Sequence, residues 1–412
     1  MEWKEVKLGE LIQIKYGKDH KKLNNGSIPV YGSGGIMRYV DQYLYDNESI
    51  LIPRKGTLNN IFYVTGKFWT VDTLFWSKIN NSKVFGKFLY YYLKTINFTD
   101  MNVGSAVPSL TTKILNEISI KLPPLPIQKK IAHILSTLDE KIELNRKMNK
   151  TLEAMAQAIF KSWFVDFDPV HAKARAKTKA DLQTEAKKLG ITPEILELFP
   201  SEFEESELGM IPKGWEVSTI GEEVSIYGGA TPSTKEEKYW KDGKNNWVTP
   251  KDLSKLNSKV LLDTERKITD KGVSKISSKQ LPIGTVLLSS RAPVGYIAYS
   301  AIPISINQGF IAMVCDKKLS NYYVLYWLTY AMDEIKNRAA GTTFSEISKS
   351  AFRPIKLLLP DKEIRKKFDS IVQPIVNNLI ENEIEIQTLQ QTRNTLLPKL
   401  LSGELDVSEV EI

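Results

Sequence analysis

At 412 residues the chain is long enough for two or three domains with real cores, and 42% hydrophobic content is ordinary for a globular protein. No apolar run approaches the roughly 18 residues that span a bilayer, and the start, MEWKEVKLGE, lacks a signal peptide's apolar core, so a cytoplasmic location is expected. One cysteine, Cys315 in the run FIAMVC, excludes an intramolecular disulfide and a multi-cysteine zinc site, and it reads as a small buried hydrophobe.

The formal net charge of +8 is unevenly spread. Residues 1–123 hold 16 Lys/Arg against 10 Asp/Glu, and residues 206–361 hold 21 against 16. Residues 124–205 balance at 13 each, while residues 362–412 hold 6 against 9. The positive surplus therefore sits in two regions that are not long helices, as expected if those regions meet a polyanion such as DNA.

Residues 1–123 read as a mixed domain. SILIPRKG, IFYVTG and WTVDTLFWSKI place β-branched and aromatic residues between Gly, Asn and Pro punctuation, the pattern of strands and turns. A helix is expected at KVFGKFLYYYLKTI and a closing strand at NEISIKLP, and Leu122, Pro123 and Pro124 mark the boundary. Residues 124–165 follow as one long helix. Ile127, Ile131, Ile134, Leu138, Leu152, Met155, Ile159 and Trp163 recur at helical spacing, a narrow seam like that of a coiled coil. At about 1.5 Å per residue such a helix is on the order of 55–60 Å long, too long for the core of one domain, so it needs a partner.

After VDFDPV, residues 166–205 form a charged segment that reads mainly as a connector with room for a short helix or two. Residues 206–361 then repeat the first domain. Trp3, Gly9, Glu10, Ile14 and Gly17 recur as Trp215, Gly221, Glu222, Ile226 and Gly229. Farther along, Arg54 aligns with Arg291, Val71 with Ile306, Phe75 with Phe310, and Gly104 with Gly341. About two dozen extra residues in the second copy fall in its polar stretch near TPSTKEEKYWKDGKNNWVTPKDLSKLNSKV. Trp3, Trp215, Phe75 and Phe310 are assigned to cores. Residues 362–412 carry the second long helix and a tail.

The second helix repeats the seam of the first: Ile364, Phe368, Ile371, Ile375, Leu389, Leu396 and Leu400 match Ile127, Ile131, Ile134, Leu138, Leu152, Ile159 and Trp163. The same shift superposes Asn145 on Asn382, which suggests that these two amides face each other and set the register. Pro374 removes one backbone hydrogen bond and is expected to bend the second helix. The fold class is thus α+β: two homologous mixed α/β domains separated by two long antiparallel helices in a coiled coil, with pseudo-two-fold symmetry.

Catalytic constellations are not evident. No phosphate loop forms around Gly66-Lys67 or Gly86-Lys87, and Gly32, Gly34 and Gly35 read as a turn rather than a dinucleotide fingerprint. His20, His133 and His171 are scattered, so neither a metal cluster nor a Ser-His-Asp arrangement is suggested. Candidate DNA contacts are loop residues that recur in both domains or combine cation, amide or hydroxyl with Gly or Pro. In the first domain these are Arg54, Lys55, Asp72, Thr73, Ser105 and Ser109. In the second they are Thr231, Asn245, Asn246, Lys251, Ser290, Arg291, Asn307, Gln308, Thr342 and Thr343. Arg pairs bidentately with guanine or clamps phosphate, Asn and Gln read adenine, and hydroxyls reach phosphate.

The order domain, long helix, charged segment, domain, long helix resembles the specificity subunit of type I restriction-modification systems. The similarity covers essentially the whole chain and is most specific in LPPLPIQKKIAHIL, QAIFKSWFVDFDPV, FPSEFEESELGMIPKGW and LLPKLLSGELDV. The resemblance implies a non-catalytic subunit with two target-recognition domains, each reading half of a bipartite site in double-stranded DNA. It also implies helices that set the spacing and dock two modification subunits and the restriction subunits. S-adenosylmethionine, ATP and Mg would then belong to those partners, and this chain would bind no cofactor or metal. A coiled-coil scaffold for protein interactions without DNA specificity is the alternative, and a single-chain modification enzyme is disfavoured by the missing motifs.

Overall fold

The computed structural model describes residues 3–104, 107–341 and 345–410. The chain folds into two compact units, Met1–Glu143 with Gln387–Ile412, and Leu144–Ile386. Each unit contains one copy of the repeated domain and part of each long helix. The helices run unbroken over Leu125–Phe164 and Lys362–Ser402, the second continuing through Pro374 and Pro398. No helix among the described residues is long and apolar enough to cross a membrane.

The first domain is built on a four-stranded sheet in the order Ile12–Tyr16, Leu74–Ile79, Ser49–Pro53, Phe62–Val64. A second sheet places Asn25–Gly32 between Gly35–Val40 and Lys67–Thr70, pairing in parallel with the latter. Lys4–Lys7 pairs with Ser119–Leu122 and closes the domain. The second domain repeats this order with Ser225–Gly228, Phe310–Val314, Val286–Ser289 and Ile297–Ser300. It also repeats the parallel pairing, between Asn245–Val248 and Ser305–Ile306, and the closure, between Glu216–Thr219 and Lys356–Leu359.

Two pairs of glycines show why the repeat survives in the sequence. A Cβ on Gly17 would stand 2.0 Å from the Val71 carbonyl oxygen, and a Cβ on Gly229 would stand 2.0 Å from that of Ile306. Gly9 abuts Asn116 and Gly221 abuts Arg353 in the same way. Backbone passes so close to backbone at the first pair that only hydrogen fits. Phe75, Phe310 and Trp215 are buried as expected, while Trp3 is half-buried against the first domain's core. Cys315 packs at the edge of the second core, where burial pushes its thiol up to about 12 and keeps the sulfur protonated.

Within each unit the helix segments run antiparallel. In the first, Arg393 donates to Asp139 at 2.5 Å, and Ile127, Ile131 and Leu135 share a core with Leu400 and Leu401. In the second, Phe160, Trp163 and Phe164 pack their rings on Phe368 at 5.1–6.2 Å. The seam differs from the expected one in its middle. Met155 is 49% exposed, and the buried positions are Ile142, Asn145, Asn149 and Ala156. Nor do Asn145 and Asn382 bond each other. Asn145 donates to Glu385 at 2.7 Å, Asn382 donates to Asn149 at 2.8 Å, and Asn149 donates to Glu383 at 2.8 Å. Amide-to-carboxylate bonds replace the expected pair because Asn145 and Asn149 each supply an N–H to a carboxylate of the facing helix, which has acceptors only.

Residues 166–205 are more than a connector. Helices Asp168–Arg175, Lys179–Lys188 and Pro193–Leu198 pack around Ala172, Ala186 and Leu196. Thr178 and Thr192 cap the second and third helices, and Glu185 bridges Arg175 and Lys188 at 2.6 Å each. Low apolar content hid this small cluster, since alanines supply most of its core.

Replacing Asn149 by Ala removes both the acceptor of Asn382 and the donor to Glu383. It should lower stability by about 1–3 kcal/mol, the cost of leaving buried polar groups unpaired. Urea unfolding followed by tryptophan fluorescence checks this; an unchanged midpoint would mean the network is dispensable.

Candidate nucleic-acid interface

In the first unit the strand ends converge on one cleft of about 620 Å³. Its walls come from the loop after Tyr16, with Asp19, His20 and Lys21; from the turn between Asn25–Gly32 and Gly35–Val40, with Ser33; and from Asp72 and Thr73. The turn needs Gly35, whose φ of 117° is closed to side chains. Arg54 lies at the edge of this cleft. Its guanidinium donates to the Asp72 carbonyl at 3.3 Å and stacks 5.4 Å from the centre of the exposed Tyr16 ring. Arg54 and Lys55 both donate their backbone N–H to the Thr73 carbonyl, at 2.8 and 3.2 Å. Lys55 also pairs with Ser109 through the backbone. The fold therefore brings Arg54, Lys55, Asp72, Thr73 and Ser109 together, and Ser105 lies outside the described residues.

Asn102, which sequence reasoning passed over, ties the last of these loops. Its Oδ1 accepts from the Gly104 and Ser109 N–H groups at 2.8 and 2.7 Å. The Asp19 carboxyl accepts from the Lys21 N–H at 3.1 Å, and that bond holds it below the ordinary carboxylate range. It therefore faces the cleft as an anion, an acceptor suited to an exocyclic amine.

The second unit has a cleft of about 440 Å³ in the corresponding place. Thr249, Lys251 and Ser254 follow strand Asn245–Val248, as Ser33 follows Asn25–Gly32; Asn307 stands where Asp72 does, with Gly309 two residues on; and Arg291 stands where Arg54 does. Arg291 pairs with Glu346 at 3.6 Å. Lys251 reaches Glu265 at 3.0 Å, and Lys255 reaches the same carboxylate at 2.5 Å; the two ammonium groups hold Glu265 down to about 2. Thr231 donates to the Gln308 side chain at 2.6 Å, so these two residues form one polar edge.

Four sequence candidates have polar groups engaged by the protein itself. Ser290 is 3% exposed, its N–H bonded to Gly309 and its carbonyl to Ile347. Asn245 donates to the Ile268 carbonyl and to Asp270 at 3.2 and 2.9 Å, and Asn246 donates to the Pro303 carbonyl at 3.0 Å while accepting from Lys267. Asn307 caps its own turn by accepting from the Gly309 N–H at 2.9 Å. Thr342 and Thr343 lie outside the described residues. Lys173, from the charged segment, is spent on the carbonyls of Glu197 and Phe199. The cleft residues Asp19, Lys21, Ser33, Ser254 and Tyr296 gave no sequence signal, because their loops differ between copies in length and composition.

The family model for the type I restriction modification DNA specificity domain matches residues 1–154 and again residues 212–390. The chain belongs to this family. Among relatives of this specificity subunit is the type I restriction enzyme HindI specificity subunit of Haemophilus influenzae, 30% identical over 382 residues, or 84% of this chain and 81% of the relative. The MjaIX specificity subunit of Methanocaldococcus jannaschii is 37% identical over 185 residues, covering 44% and 42% of the two chains. The fold of a type I restriction-modification S subunit from M. genitalium superposes with a TM-score of 0.64 at 17% identity, covering 97% of this chain and 96% of the other. The two matched segments correspond to the two copies of the repeat.

Arg291→Ala should leave the fold intact, since its partner Glu346 is itself half exposed. It should weaken binding to a duplex carrying the recognised site by about 1–3 kcal/mol, the worth of a good Arg contact. Asn246→Ala should instead lower stability without altering base preference. Fluorescence-anisotropy titration alongside a thermal melt separates the two, and equal affinity for Arg291→Ala and the native chain would remove Arg291 from the interface.

Proposed function

We propose that this specificity subunit reads a bipartite site in double-stranded DNA, one half in the cleft of each repeated domain. The observation that carries this reading is the recurrence of one cleft at topologically equivalent strand ends, framed by the same backbone and lined by different side chains. Asp19, Lys21, Asp72 and Thr73 line or flank the first cleft, while Lys251, Arg291 and Asn307 line the second. Two frames with different linings suit two unlike half-sites. The first offers carboxylate acceptors for cytosine or adenine amines, and the second offers cations for guanine or phosphate.

The two long helices hold the spacing of the half-sites and dock two modification subunits, with restriction subunits joining that assembly in the cytoplasm. S-adenosylmethionine, ATP and Mg are bound by those partners. The alternative scaffold role gains no support from the repeated clefts, which a docking surface would not require.

Methylome sequencing of a host that expresses this chain with its modification subunit is the direct test. The expected result is methylation at one motif with two defined parts and an unread gap; methylation at an uninterrupted motif, or at none, would overturn the reading. Inserting one heptad into each helix should lengthen the gap by about 10 Å, or about three base pairs at 3.4 Å each. A gap of unchanged length would rule out the helices as the ruler.

A further inference from the structure

The second domain enlarges one segment well beyond its counterpart in the first. Between the equivalent positions Gly229 and Val286 lie 56 residues, against 31 between Gly17 and Ser49. Residues 230–285 hold 12 Lys/Arg against 7 Asp/Glu, whereas residues 18–48 hold 4 of each. Since the remainder of residues 206–361 holds 9 of each, the domain's entire positive surplus resides in this insert.

The insert is folded rigidly. Strand Arg266–Ile268 pairs with Asn245–Val248 and extends the sheet whose strand ends line the cleft. Helix Asp270–Val273 is tied to the turn Glu237–Tyr239 by Thr269, whose N–H reaches the Tyr239 carbonyl at 2.9 Å and whose hydroxyl reaches that of Lys238 at 2.7 Å. Trp247, Ile268 and Ile276 form its own small core. On this base the exposed Arg266 lies with its guanidinium carbon 3.7 Å from the centre of the Trp240 ring and 5.2 Å from that of Trp247. Trp240 is fixed by donating to the Ser233 carbonyl at 3.0 Å. Among the described residues the stacked guanidinium makes no hydrogen bond, so its N–H groups are held in place without an acceptor. In the same segment Lys235, Lys244, Lys271 and Lys275 are exposed and have neither ion pair nor side-chain hydrogen bond among the described residues.

We propose that residues 230–285 are a backbone clamp. Arg266 and the free lysines hold phosphates of duplex DNA beside the half-site read by the second cleft, adding affinity without adding sequence discrimination. The inference rests on the DNA-reading function proposed above. It follows from the chemistry of the surface: exposed cations without partner acids and a guanidinium preorganised on an indole.

The test uses the full chain assembled with its modification subunits. The probes are a 40-base-pair duplex carrying the motif found by methylome sequencing and a scrambled duplex of equal length. The variant replaces Lys235, Lys244, Lys271 and Lys275 by Gln, and a second variant replaces them by Arg. For the Gln variant the slope of log affinity against log salt should fall by about 2–4, near 0.9 per lost phosphate contact. Affinity should drop on the order of tenfold or more for both duplexes, leaving their ratio unchanged. The Arg variant should bind like the native chain, which excludes misfolding as the cause. An unchanged slope, or a loss confined to the motif-bearing duplex, would overturn the clamp. Absence of salt-dependent duplex binding by the native assembly would instead overturn the DNA reading itself.

Discussion

The constraint on which the rest of this chain depends is that two helices of 40 and 41 residues each carry an apolar face that neither can bury alone. An isolated helix with such a face gains little from hydrogen bonding, because water offers the backbone the same bonds; burial must supply the stability. Within each unit the solution is the same. A segment of one helix lies antiparallel to a segment of the other, and a sheet domain packs across both. Ile131 and Leu135 meet Leu400 in one core, and Phe160 and Phe164 meet Phe368 in the other. Near the helix midpoints the seam turns polar: Asn145 and Asn149 each donate to a carboxylate of the facing helix, and Asn382 donates to Asn149. Apolar residues there would bind more strongly yet would tolerate sliding, whereas directional bonds fix one register.

The repeated domain shows which positions a duplicated fold must retain. Gly17 and Gly229 occupy the same close approach of backbone to backbone, and Gly9 and Gly221 fill the same notch against the segment before the closing strand. These positions are fixed by hydrogen being the only group that fits. The loops at the strand ends carry no such constraint, and there the copies diverge in length, charge and chemistry. A rigid frame with free loops is the usual way in which a scaffold supports changing recognition.

The copies also diverge in where their charge lies. The first cleft presents Asp19 and Asp72 beside Lys21, with Arg54 at its edge, while the second lies in a domain whose surplus positive charge falls within residues 230–285. Contacts to phosphate position a protein on DNA, and contacts to base edges specify the sequence. Both domains carry a positive surplus, and the second gathers its own into residues 230–285.

Helix lengths, the internal repeat, the domain order and the family were all written in the sequence, because each rests on spacing. A seam recurs every three or four residues, a duplicated glycine recurs at a fixed offset, and tertiary contacts do not have to be known to see them. The repeat aligned Arg54 with Arg291 and Asp72 with Asn307, and the fold sets Arg54 on the Asp72 carbonyl and Arg291 with Asn307 in one cleft. What the sequence left open was decided by contacts between residues far apart in the chain. Only the fold could reveal that Asn145 bonds Glu385 rather than Asn382, that Ser290 is enclosed, and that Asn245 and Asn246 are consumed by Ile268, Asp270 and Pro303. A polar side chain looks alike in sequence whether its partner is water, DNA or the protein's own backbone, and the partner is known only when the chain has closed around it.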